Sequence, residues 1–147
     1  MKKNRFFMSF CFIGVLFLFL SQAQAQQTDW EVFGKNLVKA IQTGNEGLQQ
    51  SAMQLIIRHA DNLDVDAAGL DILHIFRKSK NPKVRQLAMI TLFKMQHKYA
   101  MFYLKRNLEF EKNDCIRKQC CCILKEYQAM LEREQAPASE KPAIAGR

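Results

Sequence analysis

The chain has 147 residues, with 22 Lys and Arg against 14 Asp and Glu, a formal net charge of +8 at pH 7. Such a length holds one domain with a true core and excludes a second of ordinary size. The sequence has no G-x-S-x-G, no H-E-x-x-H and no phosphate-binding glycine loop. That excludes the common constellations of hydrolysis, zinc proteolysis and nucleotide transfer, and the chain is expected not to be an enzyme.

The N-terminus comes first in chain order. Three cations in "MKKNR" precede the 15-residue apolar run "FFMSFCFIGVLFLFL", and "SQAQA" then ends in the small-x-small pattern Ala23-Gln24-Ala25. This is the layout of a secretory signal. The run falls short of the about 20 apolar residues that a spanning helix needs, so cleavage after Ala25 is expected instead of anchoring. The expected mature chain of 122 residues has no transmembrane span, keeps 19 basic and 14 acidic side chains, and is periplasmic or extracellular. Its charge is uneven: residues 26–76 carry 3 basic and 7 acidic groups, and residues 77–125 carry 13 and 3.

Every patterned segment of the mature chain has helical period, and no alternating β-branched run or Asn-Gly hairpin signal appears, so the class is all-α. A first helix is expected at 28–42, opened by a Thr28-to-Glu31 capping box and closed at Thr43-Gly44. Further helices are expected at 45–60, 64–79, 82–95, 98–111 and 114–134. The aspartates Asp61, Asp64, Asp66 and Asp71 cluster at the start of the 64–79 segment, and Arg77, Lys78 and Lys80 lie at its end. Both placements suit a helix dipole. The domain is expected over 26–134, and residues 135–147, "QAPASEKPAIAGR", are expected to be a disordered tail.

Three segments share more than amphipathicity. "NEGLQQSAMQLI" from Asn45, "NPKVRQLAMITL" from Asn81 and "NDCIRKQCCCIL" from Asn113 each open with Asn, a good N-cap, followed by Glu, Pro or Asp. An aliphatic residue follows three after the Asn (Leu48, Val84, Ile116), and next to it stands Gln49, Arg85 or Arg117. A small residue comes next (Ala52, Ala88, Cys120), and then another aliphatic (Ile56, Leu92, Leu124). Leu48, Val84 and Ile116 are expected to turn inward together, and the small residue would let a neighbouring helix come close.

The middle segment resembles the first helix of a HEAT-like repeat, with its Asn, its Pro, its Val-Arg pair and the small and aliphatic residues after them. The likeness spans about residues 45–124. It implies a short right-handed α-solenoid of antiparallel helix pairs, about six helices after the signal, with the first and last as caps. It also implies a macromolecular partner bound on the second helices of the pairs. On those helices the candidate partner-binding residues are His74, Arg77, Lys78, Lys98, Tyr99, Tyr103, Lys105 and Arg106, a basic and aromatic set suited to an acidic protein segment.

The four late cysteines read mainly as packing residues. Cys120 and Cys121 stand where the other two segments have Ala-Met pairs and belong to the packed stripe. Cys115 and Cys122 are the candidate reactive thiols. They are seven residues apart, about 10 Å along a helix, too far for the about 7 Å that a disulfide tolerates. Either could join two copies of the chain through a disulfide. No C-x-x-C pair exists and His59, His74 and His97 are scattered, so no metal and no cofactor is expected. Two function classes lead: a protein-binding adaptor, and binding of an anionic surface or polymer through residues 77–125. Export argues against nucleic acid, and a thiol or metal module is the third class.

Overall fold

The structure, a computed structural model, describes residues 28–135. The expected signal segment and the tail after Gln135 lie outside these residues. Among the described residues every regular element is helical: α1 Trp30–Gln42, α2 Glu46–His59, α3 Gly69–Lys78, α4 Pro82–Lys94, α5 Lys98–Asn107 and α6 Asp114–Gln135.

Each helix starts where the local chemistry offers a cap, with one exception. Asp29 caps α1, its Oδ1 accepting from the Val32 N–H at 3.1 Å, so the box expected from Thr28 is displaced by one residue. Asn45 accepts from Leu48 N–H at 3.0 Å, Asn81 from Lys83 N–H at 2.9 Å, and Asn113 from Ile116 N–H at 3.1 Å. Pro82 follows Asn81 at the helix start, where its missing N–H leaves nothing unpaired. The exception is α3, which has no side-chain cap. The helix expected from residue 64 is preceded by two 3₁₀ turns, Ala60–Asn62 and Asp66–Ala68, and begins only at Gly69. Its clustered aspartates therefore do not cap it. The segment expected to be helical to 111 leaves the α-helix at Asn107 and continues as a 3₁₀ turn, Leu108–Phe110.

Two turns need left-handed backbone. Gly44 has φ +75° between α1 and α2, which glycine adopts without a steric cost. Between α4 and α5 the left-handed residue is Gln96, φ 52°, in a turn without Gly or Pro. There His97 N–H donates to Leu92 O at 3.1 Å and Gln96 N–H to Phe93 O at 2.9 Å. This is the Schellman arrangement, and it satisfies the last carbonyls of α4. His97 then caps α5, its Nδ1 accepting from Ala100 N–H at 3.2 Å. Gly69 lies against this ring, and a Cβ there would collide with His97.

Packing arranges the helices in two rows. In one, α4 lies between α2 and α6; in the other, α3 lies between α1 and α5. Across the rows α1 packs on α2, α3 on α4, and α5 on both α4 and α6. Position in the row explains the burial pattern. The middle helix α4 buries Val84, Ala88, Met89, Thr91 and Leu92, and Thr91 satisfies its hydroxyl on Leu87 O at 2.8 Å. The small residues Ala52, Ala88 and Cys120 are all buried, as expected of positions where helices approach closely.

The inward stripe needs one correction. Val84 is 7% exposed and Ile116 0%, but Leu48 is 45% exposed. Helix α2 is the first of its row, so no earlier helix covers its first turn. At the other end, Leu124 is only half-buried and Ile123 takes the core position, because α6 has a row neighbour on one side alone.

The three turns that lead into Asn45, Asn81 and Asn113 are built alike. Ahead of each asparagine a side-chain oxygen accepts its backbone N–H: Thr43 for Asn45 at 3.3 Å, Ser79 for Asn81 at 3.2 Å, Glu111 for Asn113 at 2.9 Å. Four residues after the asparagine, a side-chain donor reaches back to a preceding carbonyl. Gln49 donates to Ile41 O at 2.8 Å, Arg85 to Phe76 O at 2.9 Å, and Arg117 to Glu111 O at 3.3 Å. Each turn is thus clasped to the end of the segment before it.

Candidate functional site

Helix α5 carries the most unusual surface. Ala100, Met101 and Leu104 point into the core, and Tyr103 is half-buried toward α3. The opposite side shows Tyr99 at 58% and Phe102 at 60% exposure, set among the exposed cations Lys98, Lys105 and Arg106. Arg77 of α3 lies over the Tyr103 ring at 5.4 Å, so α3 and α5 form one ridge joined by a cation–π contact. Among the described residues these cations have no ion-pair partner, so the aromatics keep apolar area in water beside free positive charge.

The eight candidate residues do not form one patch. Arg77 and Tyr103 meet, and Tyr99 and Arg106 share the outer side of α5. Lys98 and Lys105 turn to the other flank, where they border an open groove between α5 and the second half of α6. His74 and Lys78 face a separate hollow of about 220 Å³ beside Glu46 and Gln49. The groove, about 800 Å³ in volume, was not legible at residue level. Its apolar lining comes from Met101, Phe102 and Leu108 on one side and Leu124 and Tyr127 on the other. The length of α6, 22 residues against 13 or 14 for its row neighbours, was the available signal.

The cysteines separate by environment. Cys120 is buried, and desolvation, reinforced by Cys121 and Glu111, pushes its thiol up to about 11. It remains protonated and acts as a small apolar residue. Cys121 departs from the expectation of a packed residue: it is half-buried and lines the groove. Cys115 and Cys122 are both exposed, and Gln86 Nε2 approaches the Cys115 sulfur at 3.2 Å. Among the described residues no three His, Cys, Asp or Glu side chains converge as a metal site would require. No described helix is long and apolar enough to cross a membrane.

One ion pair bears on the same region. Arg85 places both terminal nitrogens on Glu111, at 3.1 and 2.5 Å, with its guanidinium over the Phe76 ring at 4.8 Å. Burial pushes the Glu111 carboxyl up, but hydrogen bonds from Arg85 and Asn113 and the Arg85 charge outweigh it and leave the group below its ordinary range. The pair ties α4 to the turn between α5 and α6. In comparisons with known proteins the chain matches no family model, no curated protein and no solved structure.

Proposed function

We propose that this chain is an exported, non-catalytic adaptor, built as a short HEAT-like solenoid, that holds an acidic segment of another protein on the α3–α5 ridge. Support for the repeat build comes from the three asparagine-led turns and from the row order α2, α4, α6. The observation that carries the binding role is the exposure of Tyr99 and Phe102 between Lys98, Lys105 and Arg106. Aromatic side chains supply apolar anchoring, and the cations select a negative partner and speed its encounter.

A photo-crosslinking side chain at position 99, used in the native compartment, tests this. A discrete protein product is expected, joined through an acidic stretch and lost on Arg106→Glu. Recovery of no specific protein at any salt concentration overturns the proposal.

A second reading has its own observation: Phe110 is 74% exposed at a hollow that the exposed Arg77 also lines, a pattern suited to an anionic lipid surface. Vesicles with anionic head groups would then bind the protein at low salt and release it as ionic strength rises, because exposed charges are screened beyond about 8 Å at physiological salt. A groove or ridge with apolar anchors keeps its protein partner under those conditions.

A further inference from the structure

We infer that the groove between α5 and α6 is a self-association site, filled by the end of α6 from a second copy of this chain. Helix α6 outruns the core. Its last buried residue is Ile123, and its contacts with the core end at Tyr127. Met130 and Leu131 continue the same stripe at helical spacing, half-buried, but they are not packed on the core. Among the described residues, this amphipathic helix end has no partner.

Charge says what it would meet. From Glu126 to Gln135 the helix carries Glu126, Glu132 and Glu134 against Arg133 alone, so its end is acidic, and Glu134 continues the line of Met130 and Leu131 beyond the apolar residues. The groove is the complement. Lys98 and Lys105 stand on its α5 edge and Lys125 on its α6 edge, all exposed and none ion-paired among the described residues; with Glu132 at the far end of the α6 edge, the groove stays net positive. Between them Met101, Leu124 and Tyr127 offer apolar floor. The groove thus suits an acidic amphipathic helix, and the last turns of α6 are one.

The arm cannot enter its own groove, because α6 is one wall of it. A second copy can supply it, and the exchange closes. An antiparallel crossing of two α6 helices near Gln128 brings Leu131 of each copy against Leu124 of the other, filling both grooves about a two-fold axis. Tyr99 and Arg106 lie outside the groove, whereas Phe102, Lys98 and Lys105 border it, so the dimer covers one edge of the proposed partner face and leaves Tyr99 and Arg106 open.

Sedimentation of the purified protein over a concentration series, with reductant present, is the test. A reversible dimer is expected, and a species that is dimeric only without reductant overturns the inference. Leu131→Glu is expected to give a monomer with unchanged helical circular dichroism. The pair Lys98→Glu with Lys105→Glu, and separately Glu132→Lys with Glu134→Lys, should each weaken the dimer by about tenfold or more. Mixing the two charge-reversed proteins is expected to restore it, since attraction returns in both grooves of the mixed dimer. A monomer at every concentration, a dimer indifferent to these variants, or a mixture that stays monomeric overturns the inference. Crosslinking from position 99 to another protein is read separately, so either result can fail alone.

Discussion

At the residue scale, Arg85 shows how a locally legible position acquires a distant role. Its place four residues after Asn81 is plain from the sequence, yet its partner Glu111 lies 26 residues further on. Both groups are mostly withdrawn from water, and removing one leaves the other charge buried without its bonds. Arg85→Met is expected to cost about 2–3 kcal/mol in denaturant unfolding, below a fully buried pair because some water remains. The pH dependence follows from the lowered Glu111 carboxyl. Its contribution is complete above the ordinary value of 4.5 and is lost as pH falls through the lower folded value. Glu111→Gln is therefore expected to flatten the acid limb of the stability curve, read as midpoint denaturant concentration against pH. The thiols allow a second check at this scale. In the native protein Cys115 and Cys122 should react with an alkylating reagent at mildly basic pH, while Cys120 should react only on unfolding. Mass spectrometry of the alkylated peptides reads the order, and fast native labelling of Cys120 would contradict its assignment to the core.

At the element scale, the helix starts were largely legible because a cap acts within three residues. Asn45, Asn81 and Asn113 were identified as caps from spacing alone, and each makes the expected bond. Asn81→Ala is expected to lower stability by about 1 kcal/mol, measured by thermal unfolding, with the fold retained. The start of α3 was misread because aspartates before an apolar run look like caps whether or not the backbone turns into an α-helix there. Here it makes 3₁₀ turns first. The inward stripe failed at one position for a different reason: Leu48 has the right phase on its helix but no neighbour to meet. Leu48→Ser should shift stability by less than about 0.5 kcal/mol, whereas Ile116→Ala should cost about 2–5 kcal/mol. Equal losses at the two sites would show that position in the row does not govern burial.

At the scale of the whole molecule, α4 is the element on which the others depend, since it touches α2, α3, α5 and α6. Met89 is fully buried on it. Met89→Ala is expected to cost about 2–5 kcal/mol and to move a single cooperative unfolding transition, because no part of so small a core is stable alone. Two separated transitions in calorimetry would mean that the rows unfold independently. Read by itself, the sequence determined the all-helical class, the helix starts at the three asparagines and the concentration of positive charge in the later half. All of these arise from interactions within a turn or two of chain, or from composition. Only tertiary packing decided that Leu48 lies open, that Arg85 finds Glu111 and that Cys121 faces a groove. Each of those depends on which remote helix lies alongside, and that choice is made by the burial of whole faces and not by any local signal.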